Sequence, residues 1–161
     1  MRIPRLKPYQ IVLEVLCLIL LLGGIIFTAI KFPGLPEKIP NHFDAAGNII
    51  DYSGKGSIWL LEGINIAIYV MTTVFIFVPA IVQNPNVTWK VNPGAKFILE
   101  SETISLLGET KLECVLLFDY LNVMIIRGVS VIWPVWALLG IMTVGMVLRL
   151  IHMKKVSAMP K

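Results

Sequence analysis

Five polar side chains, Glu62, Asn65, Tyr69, Thr72 and Thr73, interrupt an otherwise apolar run and recur at steps of three, four, three and one. At 100° per residue these steps put them on one narrow face of a helix. In a bilayer such a face must meet protein or water, because an unpartnered carboxyl in hydrocarbon is costly. Asp119 and Asn122, three residues apart and so on one face of a second helix, are the expected partners. An intramembrane seam of this kind could form a proton or ion path or a small-ligand pocket. Interhelical hydrogen bonding that holds a bundle together is the simpler account.

A second group lies in a polar stretch. His42, Asp44 and Asp51, with Glu37, are the only set resembling a metal site, but one histidine and carboxylates without a recurring spacing give a poor ligand pattern. A histidine bonded to loop backbone accounts for His42 more simply, and no metal or other cofactor is expected. GxSxG, HExxH, Walker-loop and CxxC patterns are all missing from the sequence, so no catalytic set is assigned and an enzyme is not expected. Cys17 and Cys114 lie inside apolar runs, where a thiol acts as a small hydrophobe.

These residues need a scaffold, and the composition says which kind. Of 161 residues, 57% are hydrophobic, and the mean hydropathy is +0.80. Both values are too apolar for a soluble domain of this length and point to one integral membrane domain spanning residues 1–161. A span needs about 20 apolar residues. Runs over about 11–30, 58–82 and 132–151 meet that length. The first follows a basic MRIPRLK segment yet reads as a retained span rather than a signal peptide, with Lys31-Phe32-Pro33 as its end. Arg149 lies near enough to the end of the last run to snorkel.

A third span over about 108–127 is shorter in apolar content and carries Glu113 and Asp119. Charge bias argues for it. With four spans and both termini cytoplasmic, Arg2, Arg5, Lys7, Lys90, Lys96, Lys111, Arg149, Lys154, Lys155 and Lys161 lie inside, against Lys31, Lys38, Lys55 and Arg127 outside. This follows the positive-inside rule. Trp59, Trp133 and Trp136 then sit together at the outer interface as anchors. The stretch AKFILESETISLLGETK reads as a membrane-surface helix leading into span three, and the sequon Asn86-Val87-Thr88 falls on the cytoplasmic side. Glu14, one turn inside span one, is expected to reach the interface or Arg149.

The long polar interval 32–56 is then extracytoplasmic. Pro33, Pro36 and Pro40 predict an extended course from Phe32 to Asn41, with Leu35, Ile39 and Phe43 anchoring it on the helix ends. Gly47 marks a turn and Ser53-Gly54-Lys55-Gly56 a second one. The run Leu35, Pro36, Glu37, Lys38, Ile39, Pro40, Asn41, His42, Phe43, followed by Gly47, Asp51, Gly54 and Lys55, resembles the LPxxIPxHF…G…D…GxK signature of bacterial membrane proteins related to SdpI-like immunity proteins. The resemblance implies a multi-pass protein of the cell membrane and a role in immunity to a membrane-active toxin, or in signalling that state.

The expected fold is therefore an all-α integral membrane bundle of four transmembrane helices, with an extended extracytoplasmic loop between helices 1 and 2. The expected function is non-enzymatic. The outer loop is the recognition element, meeting a toxin peptide or envelope protein. The alternative is a small transporter or channel component that uses the seam, which four short spans would build as a homo-oligomer. The bilayer is the constant partner, and nucleic acid is not expected as one because the basic residues lie at the ends of apolar runs.

Overall fold

The computed structural model describes residues 6–78 and 93–157. Arg2, Arg5, Pro79, the Asn84-Pro85 turn, the sequon Asn86-Val87-Thr88, Lys90, Lys161 and the far end of the expected second span lie outside the described residues. Helix α1 covers Pro8–Lys31, strands β1 and β2 cover Lys38–Phe43 and Ile49–Gly54, and helices α2, α3 and α4 cover Ile58–Phe77, Pro93–Arg127 and Trp133–Ser157. Short 3-10 turns, Phe32–Gly34 and Lys55–Ser57, join the hairpin to α1 and α2. Three helices, α1, α2 and α4, are long and apolar enough to cross a membrane.

α3 is organised differently from the expectation. The surface helix and the short third span are one continuous helix of 35 residues, about 50 Å long at 1.5 Å per residue. It is also the centre of the bundle: α1, α2 and α4 each pack against it, while α1 and α2 touch only lightly. Several of its charged and hydroxyl side chains, Glu102, Ser105, Glu109, Lys111 and Asp119, face neighbouring helices. At its end Gly128 takes φ +61°, Val129 N–H donates to Met124 carbonyl and Gly128 N–H to Ile125 carbonyl. These bonds satisfy two orphan carbonyls in a Schellman ending.

The expected extended loop is a paired hairpin, so the fold is not purely helical, and the extended course does not begin at Phe32, because Phe32–Gly34, Pro33 included, form a 3-10 turn. β1 and β2 are antiparallel, with Ile39 opposite Ser53 and His42 opposite Asp51. The register slips directly after Pro40, which has no N–H to give the ladder. Leu35 and Ile39 are buried with Ile58 of α2 and Ile125 of α3, and Phe32, Phe43 and Leu61 pack around them. The expected anchoring by Leu35, Ile39 and Phe43 therefore takes this form. Burying a side chain such as Ile39 contributes about 2 kcal/mol.

This core closes one end of the bundle, where α1 and α3 finish and α2 and α4 begin. Two small clusters close the other end: Ile76 and Ile104 with Leu6 and Leu107, and Ala95, Leu99 and Val156 with Met153. Leu6 and Val156, near the two ends of the described chain, thus lie at the same end of the bundle, opposite the hairpin. Trp59, Trp133 and Trp136 all lie at the hairpin end.

Candidate functional site

Local chemistry shapes the hairpin tip. Asp44 N–H donates to Asn48 carbonyl and Gly47 N–H to Asp44 carbonyl, closing a three-residue loop with Gly47 at φ +92° in its left-handed position. Asp44 Oδ1 accepts from the Ala46 and Asn48 amides at 2.9 and 2.8 Å, and its Oδ2 accepts from Asn48 Nδ2 at 2.8 Å. These bonds, led by the Asn48 side chain, hold the Asp44 carboxyl below its ordinary pKa. The tip is docked on the α3–α4 connection. A Cβ on Gly47 would lie 2.8 Å from Ser130 carbonyl oxygen, and Trp136 Nε1 donates to Ala45 carbonyl at 3.2 Å.

At the base, Lys55 N–H donates to Glu37 carbonyl, and Lys55 Nζ pairs with Glu37 Oε1 at 2.8 Å beside the Phe32 ring. Of the motif residues, Leu35, Ile39 and Phe43 dock the hairpin, Gly47 turns it and Lys55 clamps it; Pro36 precedes β1 and Gly54 ends β2. What remains outward is His42 and Asp51, each 66% exposed with 3.8 Å between Nδ1 and Oδ2, together with Ile50 and Tyr52, 67% and 54% exposed.

Of the four residues in the metal set considered from the sequence, the structure brings only His42 and Asp51 together. Asp44 is committed to the turn, Glu37 to Lys55, and Asp51 Oδ1 accepts from Tyr52 N–H. His42 bonds the Asn41 side chain rather than loop backbone. Among the described residues no group of three or more His, Cys, Asp or Glu side chains is gathered as a metal ion would need.

The seam on α2 faces α1 and α3. Glu62 Oε1 accepts from Thr28 Oγ1 of α1 at 2.7 Å, and Asn65 Nδ2 donates to Asp119 Oδ1 of α3 at 3.2 Å. Glu62, Asn65 and Asn122 are at most 1% exposed. Asp119 lies against α1 at Gly24, where an added Cβ would collide with Oδ1. A groove of about 370 Å³ between α1 and α3 is bordered there by Gly23, Gly24, Phe27, Asp119 and Asn122. Further along, Thr72 bonds only carbonyls of its own helix, and Thr73 both bonds Tyr69 carbonyl and accepts from Lys111 Nζ at 2.9 Å.

Lys111 is the residue that sequence reasoning placed wrongly. It is not a cytoplasmic loop charge: it is fully buried in α3, paired with Glu14 Oε2 at 2.6 Å and set 4.8 Å over the Tyr69 ring. Glu14 therefore meets Lys111 and not Arg149. Arg149 does not snorkel outward; it turns to α3, where it bonds Glu102 at 2.5 Å and both carboxylate oxygens of Glu109, a two-pronged grip suited to guanidinium. Gln10, Tyr9, Ser101 and Ser105 form a third group, with Gln10 Nε2 donating to Ser101 carbonyl and Ser105 Oγ and Tyr9 bonding Ser105.

Ser101, Ser105, Gly108, Lys111, Val115, Asp119 and Asn122 follow at steps of four, three, three, four, four and three. They occupy an arc of about 120° on α3, a stripe the sequence carries but which hydropathy averaging conceals. Cys17 and Cys114 are both free thiols.

Residues 19–66, from the second half of α1 through the hairpin into α2, match the family described as a domain of unknown function, DUF1648. No curated protein and no solved structure is similar to the chain. The matched segment thus covers the hairpin and the adjoining halves of the two helices that frame it, and includes Gly24, Thr28, Glu62 and Asn65.

Proposed function

We propose that this is a non-enzymatic, four-span protein of the bacterial cell membrane, with both termini cytoplasmic, whose outer hairpin recognises a toxin peptide or envelope protein as in SdpI-like immunity proteins. One observation carries the reading. The hairpin is fixed at its tip, its base and its apolar underside, yet it turns Ile50, Tyr52, His42 and Asp51 outward. A pre-shaped element loses little entropy on binding, and exposed apolar and aromatic side chains on a fixed frame are what a protein partner uses as anchors. Lipid headgroups are the competing occupant of the same face, since Tyr is at home in the interface.

A photo-crosslinker placed at position 50 or 52 in living cells tests the proposal. Crosslinks to a discrete polypeptide, lost on Asp51→Lys, support it; crosslinks to lipid alone overturn it. For the immunity version, a sensitive bacterium expressing the protein is challenged with membrane-active peptides. Protection that disappears in Ile50→Ser/Tyr52→Ser, at unchanged protein level, is the expected outcome, and equal killing with and without the intact hairpin refutes it.

A further inference from the structure

We propose that Glu62, Asn65, Asp119 and Asn122, with Thr28, bind a small alkali-metal cation of sodium size between α1, α2 and α3. The motivation is a surplus of buried oxygens. Glu62 Oε2, Asn65 Oδ1 and Asn122 Oδ1 have no hydrogen-bond partner, although their residues are at most 1% exposed. The nearby donors are already used: Thr28 Oγ1 on Glu62 Oε1, and Asn65 Nδ2 on Asp119 Oδ1. Asn122 Nδ2 is the single unpaired donor of the cluster, against three unpaired oxygens. Orphaned buried acceptors are costly, and a cation bound among them satisfies several at once.

The topology gathers these residues within one helical turn of the α1–α2–α3 interface. Glu62 and Asn65 are one turn apart on α2, Asp119 and Asn122 one turn apart on α3, and Thr28 lies one turn from Gly24 on α1. Glu62 is one turn from Asn65, which bonds Asp119, so the two carboxyls share this part of the interface. Lys111 does not balance them, because it is bound to Glu14 and eight residues along α3, about 12 Å away. The remaining border on α1 is Gly23, Gly24 and Phe27, which carry no charge, and the groove they edge with Asp119 and Asn122 leads to the carboxyl.

The donor chemistry selects the ion. Carboxylate, amide carbonyl and hydroxyl oxygens suit hard cations, whereas zinc or copper would want nitrogen or sulfur. The desolvation cost grows with the square of the charge, so a monovalent ion enters a site walled by apolar helices far more cheaply than a divalent one. Gly24 leaves room for the Asp119 carboxyl against α1, which a Cβ there would displace.

The test is thermal unfolding of the full chain in detergent micelles at constant ionic strength, with Na+, Li+, K+ or N-methyl-D-glucamine as the only cation. Binding to the folded state alone stabilises it as RT ln(1 + [L]/Kd). A saturating rise in Tm of about 5 °C or more with Na+ or Li+ over N-methyl-D-glucamine is expected. Asn122→Leu should shift the half-saturating concentration at least tenfold, and Glu62→Gln/Asp119→Asn should remove the cation dependence. Equal Tm in all four cations, or a dependence that survives the double substitution, overturns the proposal. So does a Tm that follows pH but no alkali cation, which would assign the site to a proton. Should the double variant not fold, wild type and Asn122→Leu decide.

Discussion

Replacing Lys111 with methionine keeps the length and most of the volume of the side chain but removes the ammonium. In the structure that ammonium is fully buried, donates to Glu14 Oε2 at 2.6 Å and Thr73 Oγ1 at 2.9 Å, and lies over Tyr69. Loss of one member of a buried pair leaves the other uncompensated, at a cost of about 3–5 kcal/mol. Glu14 retains 16% side-chain exposure, which places the expected loss near the lower bound, about 3 kcal/mol, with the Thr73 bond adding about 1 kcal/mol. At roughly 2–4 °C per kcal/mol for a chain of this size, Lys111→Met should lower Tm by about 10 °C. Glu14→Gln removes the stranded carboxylate, so Lys111→Met/Glu14→Gln should recover about half of that loss. Reversible unfolding of the purified protein in micelles, run as a double-mutant cycle, measures both. A loss under about 1 kcal/mol for Lys111→Met, or strictly additive single effects, would refute a buried α1–α3 ion pair.

Gly24→Ala drives a Cβ into Asp119 Oδ1, whereas a Cβ at Gly23 meets nothing within 4 Å. The first should therefore lose about 1–3 kcal/mol and the second gain a few tenths from helix propensity, as read by Tm. Gly47→Ala combines a left-handed φ of +92° with a 2.8 Å approach to Ser130, and should loosen the tip. Gly54→Ala, with φ −62° and open space around it, is the neutral control, both followed by amide exchange at Asn48. The Asp44 carboxyl titrates lower when the turn is formed than when it is not, so its support is present above the ordinary value of 3.8. That support is lost as pH falls through the lowered folded value. Amide protection of Ala46 and Asn48 should then drop below about pH 4 in wild type and show no such step in Asp44→Asn.

Helices α1, α2 and α4 were legible because a long apolar run has no other economical fate. The shared face of Glu62 and Asn65 and the meeting of Asn65 with Asp119 follow from spacing, whereas Asn122 bonds no residue of the seam and Thr72 bonds its own helix. α3 was not legible, because hydropathy averages around a helix, whereas burial is decided by what each face meets. Ser105, Lys111 and Asp119 look unsuitable for an interior until Gln10, Glu14 and Asn65 are set opposite them. The same gap hid Thr28, an unremarkable residue in an apolar run that becomes the donor to Glu62. At the hairpin, Pro36 and Pro40 announced extended backbone while Pro33 serves a 3-10 turn, and pairing depends on which residue of β1 faces which of β2. The Asp44-to-Asn48 turn, together with the slip after Pro40, sets that register.

The polarity of α3 bears on how the chain is assembled. In the four-span arrangement proposed above, a helix carrying Glu102, Glu109, Lys111 and Asp119 would rest at the bilayer surface if it arrived alone. It becomes acceptable to lipid only as its polar groups are met by partners: Glu14 on α1, Asn65 and Thr73 on α2, and Arg149 on α4. Two of those partner helices precede it in the chain and one follows. Insertion and association of α3 are then a single event in place of two successive stages. Substitutions such as Glu14→Leu or Arg149→Leu should accordingly show first as molecules whose third helix has failed to enter the membrane, before any loss of stability in those that have.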